Sequence, residues 1–166
     1  MTREARTVAA LDIDGVVADV RHRLHLVTPD TWAEFFAAAT TDPLLEQGAA
    51  LAHRLAARHR LVWVTGRPER TRGATQAWLD QHGLPPGRLL MHPERSMDPR
   101  SSREVKAEQL GALRDAGEHI AVVVDDDART VATLRADGFH CLLAQWSPYS
   151  PTYQDAEPVT RPGPAP

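Results

Sequence analysis

Hydrophobic positions fall into two kinds of block that alternate along the chain. Short apolar runs, typical of strands buried on both faces of a sheet, occupy residues 7–13, 61–65, 88–91, 120–124 and 141–144. Longer stretches with apolar residues on one helical face occupy residues 46–58, 69–82, 102–116 and 128–137. A repeated order of strand and then helix predicts an α/β fold: a Rossmann-like three-layer domain with a five-stranded parallel sheet.

Residues 18–45 interrupt this order after the first predicted strand. Their aromatic residues Trp32, Phe35 and Phe36 have helical spacing, and Asp30 or Thr31 can cap that helix. We therefore expect a small helical cap inserted into a single domain of residues 1–146. The aromatic rings would form the core of the cap, with a base-stacking platform as the alternative. Residues 147–166 hold six of the 13 prolines and predict an extended or disordered tail.

Composition restricts the compartment and the partners of the protein. A net charge of −3 argues against a strongly basic chain that coats nucleic acid, although a local basic pocket is compatible with it. The single cysteine, Cys141, cannot form an internal disulfide and is expected to be an inert core residue. No apolar run approaches the ~20 residues of a membrane span, and the first one is too short for a signal peptide. We expect a cytoplasmic protein that does not engage a membrane.

Chemically reactive side chains collect at the carboxyl ends of the predicted strands, which is where parallel sheets bind ligands. They are Asp12 and Asp14 after the first strand, Thr65, Gly66 and Arg67 after the second, and Asp125, Asp126 and Asp127 after the fourth. Lys106, near the start of the helix before the fourth strand, is the sole lysine among 19 basic residues. Because arginine does not replace a compact ammonium at a tight site, this lysine is a candidate functional residue.

The carboxylates in this set predict a magnesium site. Asp12 and Asp14 are two residues apart and project to the same side of an extended chain, where they repel each other unless a cation intervenes. Together with Asp125 or Asp126 they form an oxygen-rich pocket that suits Mg²⁺, whereas no Cys/His spacing indicates zinc. Asp127 is expected to cap the next helix instead. Magnesium beside a lysine, a hydroxyl and a glycine amide predicts a phosphoryl site, in which a carboxylate can form an aspartyl-phosphate.

Four segments resemble, in the right order, the motifs of the haloacid dehalogenase-like (HAD) superfamily of phosphohydrolases. These segments are residues 12–16 (Asp-Ile-Asp-Gly-Val), 64–67 (Val-Thr-Gly-Arg), Lys106 and 124–126 (Val-Asp-Asp). The resemblance implies that Asp12 is the nucleophile and that Asp14 is the general acid and base, which favours a phosphatase over a dehalogenase. It also implies Mg²⁺ held by the Asp12 carboxylate, the Asp14 backbone carbonyl and one of Asp125 and Asp126.

Residues 123–144, and the loop 91–100 that leads to Lys106, are similar to the 3′-phosphatase domain of bacteriophage polynucleotide kinase. This similarity implies a nucleotide or a 3′-phosphate end of nucleic acid as substrate, with Arg67, Arg23 and Gly66 binding the phosphate. Two alternatives remain. One is a phosphatase for a small metabolite such as a sugar phosphate or a biosynthetic intermediate. The other is a non-catalytic binding module of the same fold, in which Thr65 and Gly66 only shape a turn.

Overall fold

Five apolar segments form the strands of a single parallel sheet, whose two faces pack against helices. In a computed structural model that describes residues 7–28, 30–94 and 100–146, the strands follow the order β3-β2-β1-β4-β5. They are β1 (Val8–Leu11), β2 (Arg60–Pro68), β3 (Gly87–His92), β4 (Ile120–Asp125) and β5 (Cys141–Leu143). Every neighbouring pair is parallel, which confirms the predicted five-stranded parallel sheet.

Helices cover both faces of this sheet. The α-helices are α1 (Trp32–Ala37), α2 (Glu46–Ala56), α3 (Arg72–Gln81), α4 (Ser102–Asp115) and α5 (Ala128–Ala136). Alternate side chains of β1 point to opposite faces, so that Leu11 shares a core with Trp78 of α3, and Ala10 shares one with Leu110 of α4. The two cores confirm the Rossmann-like three-layer arrangement.

The segment between β1 and α2 consists of short helical pieces. Two 3₁₀ helices, Arg21–Leu26 and Ala38–Thr41, flank α1. The rings of Trp32, Phe35 and Phe36 pack against one another, with centroids 5.2–5.3 Å apart. The helical spacing of the aromatic residues therefore predicted α1 correctly, whereas the 3₁₀ turns around it have no periodic pattern to reveal them.

Some boundaries differ from the sequence-based expectation. Strand β2 continues beyond Thr65 to Pro68, with a register shift against β3 after Val64, and α3 is preceded by a 3₁₀ turn at Glu69–Thr71. The expected loop at 93–100 is described only in part, and the expected tail at 147–166 lies outside the described residues. None of the described helices is long and apolar enough to cross a membrane.

The order of the strands creates a crevice at one edge of the sheet. The chain passes from β1 to β2 and β3 on one side, and then returns to place β4 and β5 on the other side of β1. Ligands of such sheets bind at the carboxyl ends of the strands where this direction reverses, here between β1 and β4. Asp12 directly follows β1 and Asp125 ends β4, so both acids lie at this reversal point.

Candidate active site

Lys106 connects the two central strands through their terminal acids. Its Nζ donates to Asp12 Oδ2 at 2.6 Å and to Asp125 Oδ2 at 2.7 Å. Burial alone would lower the pKa of Lys106, but the Asp12 and Asp125 carboxylates outweigh burial and raise the pKa above its usual value. The side chain is therefore a permanent ammonium, and the structure brings together these three residues as the sequence predicted.

Asp12 lies in an excess of negative charge. Its Oδ1 accepts the Ile13 backbone N–H at 2.7 Å, which fixes the carboxylate at the end of β1. Burial raises the pKa of Asp12 to about 7, and the nearby Asp125 and Asp14 carboxylates add to this effect although Lys106 opposes it. One ammonium therefore does not neutralise the acids around it, and the site has the electrostatic character of a cation-binding site.

Three buried carboxylates form a group that can hold a metal ion. Asp12, Asp125 and Asp126 each offer an oxygen within 4.8 Å of the others. Asp126 comes so close to the turn after β1 that a Cβ on Gly15 would lie 1.9 Å from its Oδ2, and Gly15 also has a φ of +76°. The Asp14 carboxylate is not part of this group. A contribution from its backbone carbonyl stays a prediction.

Asp14 is held by two buried arginines. Its Oδ1 accepts N–H groups from Arg23 Nη2 at 2.9 Å and from Arg67 Nη2 at 2.6 Å and Nε at 3.0 Å. The same guanidiniums bind Asp42: Arg23 through Nε at 2.7 Å and Nη2 at 2.6 Å, and Arg67 through Nη2 at 3.0 Å. Both oxygens of Asp42 are used. The Asp14 side chain keeps 22% exposure, while that of Asp42 is fully buried.

These contacts change the interpretation of Arg23 and Arg67. The two guanidiniums bind Asp14 and Asp42, and neither side chain belongs to the described lining of the pocket. Direct contact with a phosphate therefore stays a prediction from the sequence, and the observed contacts support the positioning of Asp14. Sequence reasoning missed Asp42, because it stands before Pro43 in the cap and outside every motif.

The remaining predicted residues have different surroundings. Thr65 is buried, and its Oγ1 accepts the Arg67 backbone N–H at 3.2 Å, so in this structure it stabilises the backbone of the last part of β2. Gly66 lines the pocket, where a Cβ would lie 2.6 Å from Ser102 Oγ. Asp127 caps α5 by accepting the Arg129 backbone N–H at 3.0 Å, as predicted. Cys141 is buried in β5 as expected.

A cleft that is open to solvent lies above these residues. The polar part of its lining consists of Asp12, Asp14, Lys106, Gly66 and Ser102. The apolar part comes from the cap: Val20, Val27, Trp32, Phe35 and Phe36. A reacting group placed against the polar residues would therefore leave the rest of its molecule to the apolar and aromatic ones.

A family model of the polynucleotide kinase PNKP phosphatase domain, a HAD domain, matches residues 6–148, so the chain is a phosphatase of the HAD superfamily. It belongs to the family of that PNKP domain. A haloacid dehalogenase-like hydrolase from Streptococcus pneumoniae shares the fold, with a TM-score of 0.56 at 15% identity over 89% of this chain and 87% of that chain.

Two solved structures with greater structural similarity are those of Pnkp1/Rnl/Hen1 assemblies. A chain of the Pnkp1/Rnl/Hen1 RNA repair complex has a TM-score of 0.71 at 18% identity, over 86% of this chain and 43% of that chain. A chain of the Pnkp1/Rnl/Hen1 complex gives 0.70 at 19%, over 85% and 46%. At these identities the likeness shows the fold, and the chain spans less than half the length of those relatives. No curated protein matches the sequence.

Proposed function

We propose that this phosphatase is a Mg²⁺-dependent phosphomonoester hydrolase that works through an aspartyl-phosphate on Asp12. Its substrates would be nucleotides or 3′-phosphate ends of nucleic acid, encountered in the cytoplasm. The observation that supports this reaction best is the Lys106 ammonium, which contacts Asp12 and Asp125. These two acids and Asp126 form the group of three buried carboxylates. The substrate class is supported by the matching PNKP phosphatase domain model and by the fold shared with chains of an RNA repair complex.

The donor set fits a hard divalent cation. Asp12, Asp125 and Asp126 supply oxygen ligands of the kind that Mg²⁺ prefers, and a single buried ammonium leaves their charge incompletely neutralised. The Asp14 backbone carbonyl is a further proposed ligand. When bound, Mg²⁺ would supply positive charge that offsets the phosphoryl oxygens.

In the first step, an oxygen of Asp12 forms a bond to phosphorus while the bond from phosphorus to the leaving oxygen breaks. Asp14, which lines the pocket, donates its proton to that leaving oxygen and releases an alcohol. The Lys106 ammonium and the Gly66 backbone N–H stabilise the phosphoryl charge, with the Thr65 hydroxyl as a further proposed partner.

In the second step, water attacks the phosphorus of the aspartyl-phosphate while Asp14 accepts its proton. The bond from phosphorus to Asp12 breaks, and inorganic phosphate leaves. Arg23 and Arg67 keep the Asp14 carboxylate in position throughout. Asp42 accepts from both guanidiniums as well, so that each arginine is anchored on two carboxylates.

Replacement of the nucleophile tests the reaction. Asp12→Asn should lower phosphate release from p-nitrophenyl phosphate by at least about 1,000-fold, because only binding and electrostatic effects remain. Asp127→Asn is the matched control: Asp127 is a neighbouring buried acid that caps α5, and asparagine caps helices about as well as aspartate. Full turnover by Asp12→Asn would contradict the proposed reaction. Melting curves of both variants show whether a loss of turnover comes from unfolding.

A substrate panel tests the proposed leaving group. Phosphate release should be measured for 3′-phosphorylated oligonucleotides, nucleoside monophosphates and sugar phosphates under the same conditions. The first two classes should have the higher kcat/KM. A preference of about ten-fold for sugar phosphates, about 1.4 kcal/mol in transition-state binding, would indicate a small-metabolite phosphatase instead. Absence of turnover on every member would support a non-catalytic module.

A further inference from the structure

The cleft has different chemistry at the two positions that a phosphomonoester must occupy. Its phosphate belongs beside Asp12 and Lys106, where the cation and the nucleophile are. The leaving group then extends along the remaining lining, which is the apolar surface contributed by the cap. Apart from the residues of the phosphate site, Ser102 is the one hydroxyl-bearing residue in the described lining.

The three aromatic rings of the cap are not equivalent. Phe35 and Phe36 are 5% and 7% exposed, and the Arg23 guanidinium lies 4.2 Å from the Phe35 ring centroid. These two rings are therefore core residues of the cap. Trp32 is only partly buried, and its indole lies nearly parallel to the Phe36 ring, at an interplanar angle of 23° and a centroid distance of 5.3 Å. Phe36 thus supports an indole that lines the cleft.

This surface discriminates between kinds of leaving group. The hydroxyls of a sugar would lose water against Val20 and Val27 without gaining hydrogen-bond partners there, and the indole N–H of Trp32 can donate to only one of them, which leaves the others unfavourably desolvated. A planar base loses little by leaving water, and it gains stacking on an aromatic ring whatever its identity. The apolar side of the cleft therefore favours a flat, aromatic leaving group.

We infer that Trp32 is a specificity-determining residue that stacks on the base of a nucleoside phosphate. The inference rests on the proposed function, because it assumes that the phosphate binds beside Asp12. It also divides the three aromatic residues by their burial: all three line the cleft, but Phe35 and Phe36 are buried in the cap, whereas Trp32 keeps exposed surface on which a base can stack.

The test compares two phosphates of secondary alcohols, thymidine 3′-monophosphate and glycerol 2-phosphate, of which only the first carries a base. The measured quantity is the ratio of their kcat/KM values. Trp32→Ala and Trp32→Leu should lower this ratio roughly ten-fold, which is the stacking energy converted at 1.4 kcal/mol per ten-fold. Trp32→Phe should restore most of it, and the loss should appear mainly in KM for the thymidine substrate.

Glu34→Ala, on the exposed face of the same helix, controls for a perturbed α1 and should leave the ratio unchanged. If Trp32→Ala does not fold, Trp32→Leu against Trp32→Phe gives the same comparison, because leucine keeps apolar volume without a ring. An equal loss on both substrates, or an unchanged ratio, would overturn the inference while leaving the phosphatase activity established. Failure of the wild-type protein to hydrolyse either compound would count against the proposed function.

Discussion

At the scale of single residues, Asp14 shares its two arginines with a second carboxylate. Two buried guanidiniums face Asp14 and Asp42, and Arg67 Nη2 contacts both. Asp42 uses both of its oxygens to hold Arg23 and Arg67 in the orientation in which they bind Asp14. Asp42 therefore supports the position of the proposed proton donor, although it is not among the described residues that line the cleft.

Asp42→Asn should damage both stability and turnover. Removing one charge from this buried ion-pair group leaves two guanidiniums with a single carboxylate and costs about 3–5 kcal/mol in the free energy of unfolding. It should also lower kcat, because Arg23 and Arg67 would no longer be held in the orientation in which they bind Asp14. Chemical denaturation and steady-state kinetics with p-nitrophenyl phosphate measure the two effects.

Asp19→Asn is the matched control for that experiment. Asp19 lies in the same inserted segment, but its partner Arg21 is 54% exposed, and such pairs contribute about 0–1 kcal/mol. A variant at Asp42 that matched Asp19→Asn in stability and in kcat would show that the network does not position Asp14.

At the scale of secondary structure, α4 delivers Lys106 to the sheet. Its start is fixed by a capping box, in which the Ser101 hydroxyl accepts the Glu104 backbone N–H at 3.3 Å and the Glu104 carboxylate accepts the Ser101 backbone N–H at 2.8 Å. Val105 and Leu110 anchor the helix in the core. Because this capping box fixes the first turn of α4, it also fixes the position at which Lys106 meets Asp12.

Two substitutions, one at the N-cap of α4 and one inside the helix, should change the free energy of unfolding in opposite directions. Ser101→Ala removes the cap and should cost about 1 kcal/mol in the free energy of unfolding. Gly111→Ala should add about 0.5–1 kcal/mol, because Gly111 is inside the helix and a Cβ there would meet no atom within 4 Å. Urea denaturation measures both, and a stabilising Ser101→Ala would refute the assigned helix start.

At the scale of the whole molecule, the fold concentrates negative charge where the ends of β1 and β4 meet. Asp12 ends one side of the crevice, and Asp125 and Asp126 end the other. When no cation is bound, Asp12 in the folded protein keeps its proton up to a pH of about 7. In the unfolded chain the same group loses its proton near pH 3.8. The stability present at low pH is therefore lost as the pH rises through about 7.

Magnesium should reverse this loss. EDTA should abolish phosphate release and added Mg²⁺ should restore it. The rise in Tm produced by Mg²⁺ should be larger near pH 8 than near pH 5.5, because the ion binds the deprotonated carboxylate. Asp12→Asn, which lacks the titrating group, should lose that pH dependence. Activity indifferent to EDTA, or a Tm shift equal at both pH values, would contradict the metal assignment.

Most of the fold was readable from local patterns. The apolar runs that became the strands are contiguous, and parallel strands align their carboxyl ends, so Asp12, Lys106 and Asp125 were expected together before any contact was known. The helical spacing of Trp32, Phe35 and Phe36 likewise indicated α1, because side-chain periodicity is a property of neighbouring residues.

Only the tertiary structure decided how the cap and the turn after β1 pack against the rest of the domain. Asp42 reaches Arg67 across 25 positions of sequence, and Gly15 must lack a Cβ because Asp126, which directly follows β4, occupies that space. The same folding back left Trp32 partly exposed in the cleft while it buried Phe35 and Phe36. Such contacts depend on the path of an irregular segment whose helices are short, and no periodic pattern along the chain encodes that path.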